Sequence, residues 1–433
     1  MNQFPTSTRD FHSEETPVNR RFLFLQGLMG PFFERVGQDL ADQGYAVFRI
    51  NFNGGDRLFW KLPGATDYRG TFRDWPEFLR RYLKHNSITD ILLFGDCRPM
   101  HKAALSVCRD EGVHIHVFEE GYIRPDWVTL EPDGVNGHSQ LPKDPEYYRR
   151  VAAQLPPMPP HVTVPSSFKR RALEGAAYNT ADILTRWYFW YWQDYRPWPP
   201  LVEGVSWLRR LAKRKKNVAR SQEMLRRLKE SGRPYVLFPL QLDADVQIRL
   251  HSDFRGIADA IELVVESFAL NAPKNQLLVI KEHPLDNGLT DWRQVVGRCG
   301  KRHGVLERIA YVSYGEIEKL VREAQAVVTI NSTTGTLALA ENVPVFSLGQ
   351  SIYNIPDITH QGDLAGFWQA PTPPDMETFN AFRRVLIEYC LVPGGFFSEE
   401  GLETLISGVR ERLARRKEQQ LPDVADILSE VRG

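Results

Sequence analysis

The chain has 433 residues, 42% hydrophobic and 25% charged, which excludes a disordered or fibrous protein and leaves room for two domains of roughly 150 to 200 residues. Its 54 basic residues balance 54 acidic ones, so no global field attracts nucleic acid and none is expected as a partner. The four cysteines, among them Cys97, Cys108 and Cys390, follow no CxxC spacing, which predicts neither a disulfide framework nor a zinc site.

The N-terminal stretch is polar and lacks the apolar core of a signal peptide, and no run reaches the roughly eighteen apolar residues of a spanning helix, so a cytoplasmic location is expected. From residue 20 to 150 short apolar runs alternate with helical patterns. Strands are predicted at Phe22–Gln26, Tyr45–Phe52, Asp90–Phe94 and Val113–Phe118, and helices over Pro31–Gln43, Trp75–His85 and Met100–Glu111. Such alternation predicts a parallel sheet with helices on both faces, whose ligands bind at the carboxyl ends of the strands. Those ends carry Gln26 to Gly30, with Gly27 and Gly30, then Asn51 to Asp56, Asp96 to Arg98, and Glu119-Glu120-Gly121.

Residues 151–232 read differently. Proline-rich text leads into helical segments around Phe168–Trp192 and Val205–Ser231, and no strand is predicted. Trp187, Trp190, Trp192 and Trp198 crowd one stretch, and Arg209 to Arg220 supplies seven basic residues without an acid. Aromatics beside a polybasic helix suit contact with an anionic membrane surface, and equally suit packing between domains with a solvated basic helix behind.

A second alternating series spans 233–370, with strands at Tyr235–Pro239, Gln276–Ile280, Ala310–Val312, Ala326–Ile330 and Pro344–Ser347, and residues 371–433 read as terminal helices. Two segments of this half carry chemistry. In Lys281-Glu282-His283-Pro284 a histidine fixed by proline sits at a strand end, able to donate to a phosphate or simply satisfied in its loop. In Asn331-Ser332-Thr333-Thr334-Gly335 a strand end runs into a helix whose terminal N–H groups and hydroxyls suit an anion, or only cap the helix. Gln241 and Asp243 follow the first strand of this half as further donor contacts or capping residues.

In the first half, the carboxylates Glu119 and Glu120 follow an apolar strand and precede a glycine turn, suiting base, nucleophile or acid in glycosyl chemistry or a solvated turn. Arg124 lies close enough to pair with one of them or with an acidic substrate. Arg98 and His101 could bind a carboxylate, and Glu119, Asp96 or His101 could act as a base.

Phe118-Glu119-Glu120-Gly121-Tyr122-Ile123-Arg124, Lys281-Glu282-His283-Pro284 and Asn331 to Gly335 with Asn342-Val343-Pro344-Val345 together resemble the bacterial capsule polysaccharide biosynthesis and export family. The likeness is greatest to its β-Kdo transferases and covers about residues 20 to 370. It implies a retaining, GT-B-type α/β enzyme of two Rossmann-like domains on the cytoplasmic face of the inner membrane, near other capsule assembly proteins. Kdo would pass from CMP-Kdo to phosphatidylglycerol or its lyso form, without cofactor or metal. Glu120 would be the nucleophile, with Glu119 beside it. His283 would contact the CMP phosphate, Pro284 would fix its loop, and Ser332 to Gly335 would complete the phosphate site; Arg98 or Arg124 would meet the Kdo carboxylate. This chain departs from the family at Glu120, where aspartate is common, and at Leu337, where a glutamate is. Two other readings are a non-catalytic glycolipid export or assembly factor and a transferase or epimerase of another nucleotide sugar.

Overall fold

The computed structural model describes residues 20–158, 162–194, 198–243, 248, 250–415 and 421–422. The polar leader, Ala244, Asp245 and the end of the expected terminal helix lie outside the described residues.

Strand β1 (Arg21–Phe24) is an apolar run with Phe22, Leu23 and Phe24 at 0% exposure, as suits a strand covered on both faces. Along the chain follow α1 (Phe32–Asp42), β2 (Ala46–Asn51), α2 (Gly54–Leu58), β3 (Ala65–Asp67), α3 (Trp75–His85), β4 (Asp90–Phe94), α4 (Pro99–Asp110), β5 (His114–Glu120) and β6 (Trp127–Pro132). Strands β5, β4, β1, β2 and β3 are parallel neighbours in that order. The expected parallel sheet is therefore present, with an addition: β6 turns back antiparallel on β5 and pairs Glu120 with Val128 and Glu119 with Thr129. The turn between them is tight, because a Cβ on Gly121 would lie 2.0 Å from the Trp127 carbonyl oxygen. Only glycine lets the chain leave β5 so close to β6.

Three helices then bridge the halves: α5 (Pro145–Gln154), α6 (Phe168–Leu184) and α7 (Pro200–Ser231), the last ending at left-handed Gly232. Helix α6 lies on α2, where Gly54 faces Ala181 and Gly55 faces the Tyr178 ring, and larger side chains would hold the helices apart.

The second sheet is wholly parallel, in the order β11-β10-β7-β8-β9, from β7 (Tyr235–Pro239), β8 (Leu277–Lys281), β9 (Ile309–Val312), β10 (Ala326–Thr329) and β11 (Val345–Ser347). It is wrapped by α8 (Ile257–Asn271), α9 (Trp292–Arg302), α10 (Ile317–Arg322) and α11 (Thr334–Ala340). Leu237, Leu278 and Val327 are fully buried between the helical layers. Two doubly wound domains facing across a cleft make this a GT-B-like α/β architecture.

The final segment, α12 (Leu364–Gln369), α13 (Met376–Val385), β12 (Leu391–Pro393) and α14 (Glu399–Ala414), crosses back to the first domain. Strand β12 joins the edge of the first sheet beside β6. Helix α14 packs Leu402, Leu405, Val409 and Leu413 into the same core as Phe22, Phe24 and Phe32. The return contact is a large apolar one, so replacing Leu405, at 0% exposure, by alanine is expected to cost about 2–5 kcal/mol. Urea unfolding would show a lower midpoint at unchanged slope; a cost under about 1 kcal/mol would show that α14 is not part of the first core.

Candidate functional site

Successive strand residues point to opposite faces, so Glu119 and Glu120 diverge at the end of β5. Glu120 accepts from Arg171 of α6 and pairs with Arg124 of the β5–β6 turn, each at 2.9 Å, with 23% of its side chain exposed. Burial alone would raise its pKa, but the charges of Arg124 and Arg171, the Arg171 hydrogen bond and nearby His283 outweigh it and hold the carboxyl below its ordinary value. Glu119 instead accepts the Glu120 amide proton at 2.9 Å and lies toward Gly95. The two carboxylates therefore have different partners at the end of β5.

His283 reaches the Glu120 cluster from the second domain. Burial, and then the charges of Arg124 and Lys281, push its pKa down to about 4, with Glu120 acting in the opposite direction. Its Nδ1 accepts from the Leu285 amide at 3.1 Å, which leaves the proton of the neutral ring on Nε2. A neutral imidazole thus lies within electrostatic reach of an ionised carboxylate flanked by two guanidiniums.

The rest of the Lys281–Pro284 segment supports this loop. Lys281 is buried with its ammonium on the carbonyls of Glu282 and Ser313, at 2.8 and 3.2 Å. Glu282 accepts from Arg210 and Tyr311, each at 2.5 Å. Arg210 of α7 also donates to the carbonyls of His283 and Pro284 at 3.4 Å, clamping the loop from behind. Lys281 and Glu282, expected as donor contacts, are thus turned to structural partners.

At the other strand end, Asn331 and Gln241 bind each other, with the Gln241 amide donating to Asn331 Oδ1 at 2.8 Å and the Asn331 amide to Gln241 Oε1 at 3.2 Å. Ser332 Oγ accepts from the Thr334 amide at 3.2 Å, and Tyr353 donates to the Ser332 carbonyl at 2.7 Å. Gly335 is required under the Tyr353 ring, whose hydroxyl would lie 2.4 Å from a Cβ there. Asn331, Thr333 and Thr336 line a polar cavity closed from the first domain by Tyr122 and Asn136. The Thr336 hydroxyl is buried without a hydrogen-bond partner among the described residues. Asp243, the other expected donor contact, instead accepts from the Ile257 amide at 3.1 Å at the start of α8.

The remaining candidates separate. Arg98 donates to the Gly27 carbonyl at 3.1 Å and lines a second cavity with Gly27, Asn53, Tyr178 and Trp192. Gly30, at φ +141°, lies against Glu174 of α6. Asp96 is committed to three donors: the Val135 amide at 3.1 Å, His138 Nδ1 at 2.9 Å and the Cys97 thiol at 3.0 Å. His101 is fully buried, donates from Nδ1 to the Gly95 carbonyl at 2.6 Å, and has its pKa lowered to about 3 by burial and then by Arg98. Neither Asp96 nor His101 is placed to act as a base on an incoming hydroxyl. Arg171 and Arg210 escape a sequence reading, since the first needs the α6 packing and the second is hidden in a polybasic run.

A model of capsule polysaccharide biosynthesis proteins matches residues 89–397, a span holding all three motifs. The chain belongs to the capsule polysaccharide biosynthesis family. It is 39% identical over 374 residues to the capsule polysaccharide export protein KpsS of Escherichia coli, covering 85% of this chain and 94% of KpsS. It is 33% identical over 393 residues to the capsule polysaccharide modification protein LipB of Neisseria meningitidis serogroup A, covering 87% and 91%. Among solved structures it is similar to the β-Kdo 2,7 transferase of Thermosulfurimonas dismutans KpsC, with 14% identity, a TM-score of 0.42 and coverage of 91% and 100%. No helix among the described residues of this family member is long and apolar enough to cross a membrane.

The cluster predicts an acid-shifted His283, titrating near pH 4, which NMR of the imidazole carbons measures. Arg124→Ala should raise the value and Glu120→Gln should lower it further; an ordinary titration near 6.5 would place His283 outside the cluster. Because the folded value lies below the unfolded one, the folded state binds fewer protons between these pH values, and this group's contribution makes stability fall as pH drops from about 6.5 toward 4.

Proposed function

We propose that this chain is a retaining glycosyltransferase that moves Kdo from CMP-Kdo to phosphatidylglycerol or its lyso form, beginning the lipid end of a capsular polysaccharide. The observation that carries this reading is the ionised Glu120 held between Arg124 and Arg171 opposite neutral His283. Kdo bears its own carboxylate, which would compete for the two guanidiniums and release Glu120 beside the anomeric carbon. Glu120 then attacks that carbon as the bond to the CMP phosphate breaks and the electron pair leaves on the phosphate oxygen, a charge the His283 Nε2–H stabilises. The acceptor hydroxyl displaces Glu120 in a second inversion, giving net retention, with Glu119 taking the hydroxyl proton.

Family membership supports the capsule setting, and the Asn331–Thr336 cavity, with its unpartnered buried hydroxyl, suits the nucleotide phosphate. The second cavity, between Arg98 and Trp192, suits the acceptor headgroup. Trp192 belongs to the aromatic stretch whose Trp187 and Trp190 are 74% and 76% exposed. On α7, exposed Leu208 and Leu211 adjoin exposed Arg209, Lys213, Arg214, Lys215 and Lys216. We assign this face to the anionic inner surface of the inner membrane, where it would bring the acceptor to the cavity.

Incubation with in situ generated CMP-Kdo and a short-chain phosphatidylglycerol, read by mass spectrometry, should give a mono-Kdo lipid. Glu120→Ala and His283→Ala should each lower the rate at least a hundredfold; no adduct with wild type would remove the reading in favour of a non-catalytic export role. In sedimentation with vesicles, replacing Lys213, Arg214, Lys215 and Lys216 by glutamine should abolish low-salt binding to phosphatidylglycerol bilayers. Undiminished binding would move the membrane contact elsewhere.

A further inference from the structure

We propose that Cys97, His138 and His251 together hold one divalent transition-metal ion of the zinc class across the two domains. Cys97 follows β4 and His138 follows β6 in the first domain, while His251 precedes α8 in the second. One ligating atom from each lies within 4.8 Å of those of the other two. Cys97 Sγ and His251 Nε2 are 3.5 Å apart. Tetrahedral zinc with bonds of about 2.3 Å to sulfur and about 2.0–2.1 Å to nitrogen separates two such ligands by about 3.6 Å. The pair is thus spaced for a shared ion.

The surroundings hold these ligands in place. Asp96, at 1% exposure, accepts from His138 Nδ1 at 2.9 Å and so fixes the tautomer that offers Nε2 to a metal. A carboxylate behind a histidine ligand in this way orients the ring and strengthens it as a donor. The same carboxylate accepts from the Cys97 thiol at 3.0 Å. His251, at 1% exposure, is anchored by its carbonyl, which accepts from the Gln350 amide at 2.7 Å, and its ring meets that of His138 edge to face at 4.6 Å. It closes over Gly137, where a Cβ would lie 2.2 Å from His251 Nδ1. Any larger residue at 137 would drive the second domain's ligand away.

Thiolate and imidazole ligands select the zinc class over magnesium or calcium. Binding forms a metal–sulfur bond and releases the thiol proton to solvent, so affinity rises with pH. Three protein ligands leave a fourth position for water or a substrate oxygen. The other Cys–His grouping, Glu262, Cys299 and His303, is a poorer candidate, because Glu262 Oε1 already accepts from Arg302 at 2.7 Å and from His303 at 2.9 Å.

Cobalt titration of the chelator-stripped full chain tests the proposal without reference to transferase activity. The expected result is one Co2+ per chain with a thiolate-to-cobalt charge-transfer band, displaced by Zn2+. The band should be lost in Cys97→Ser and unchanged in Cys299→Ser, and affinity should fall at least tenfold in His251→Ala, with thermal unfolding of each metal-free variant checking that it is folded. Wild-type protein that shows no such band overturns the proposal, as does a band that survives Cys97→Ser or disappears in Cys299→Ser.

Discussion

A carboxylate that leaves open water stays ionised only if cations replace the hydration it loses, and Glu120 meets that condition through Arg124 and Arg171. Much of the local structure follows from holding those three groups together. Arg124 is four residues from Glu120 and is brought back to it by the β5–β6 turn, which Gly121 alone can make. Arg171 comes from α6, so that helix must lie on the first domain, and the close approach at Gly54 and Gly55 allows it.

The helical segment between the two sheets is therefore more than a connection. Helix α6 sends Arg171 to the first-domain side of the cleft, while α7 sends Arg210, with 8% of its side chain exposed, behind the His283 loop of the second. One stretch of chain thus sets the position of both the carboxylate and the imidazole. Helix α7 also carries the exposed basic and apolar face. The returning β12 and α14 close the first core from the far end of the chain.

The alternating apolar runs made both parallel sheets legible, because strands covered on two faces are written as continuous hydrophobic text. Strands β3, β6 and β12 were not legible: β3 and β12 are three residues long, and β6 mixes Glu131 and Pro132 into its apolar text. The motifs all fall at or beside strand ends, yet they do not tell which side chains turn inward. Within Lys281–Pro284 the strand's alternation and the loop that follows send Lys281 and Glu282 to structural partners and leave His283 for the cleft. Asp243 serves α8 for the same kind of local reason. Arg210 looked like any other member of its basic run, since burial of a single arginine has no signature in composition. Cys97, His138 and His251 are separated by long stretches of chain, so no ligand spacing announces them; only the closure of one domain on the other brings them together.

In the proposed reaction, glycosyl transfer passes through Glu120. Mixing the protein with CMP-Kdo in the absence of acceptor, then fragmenting the peptide that contains β5 by mass spectrometry, tests it most directly. A single Kdo is expected on the Glu120 side chain, disappearing in Glu120→Gln. A Kdo located on Glu119 or on another peptide, or retained in the Glu120→Gln protein, would contradict it.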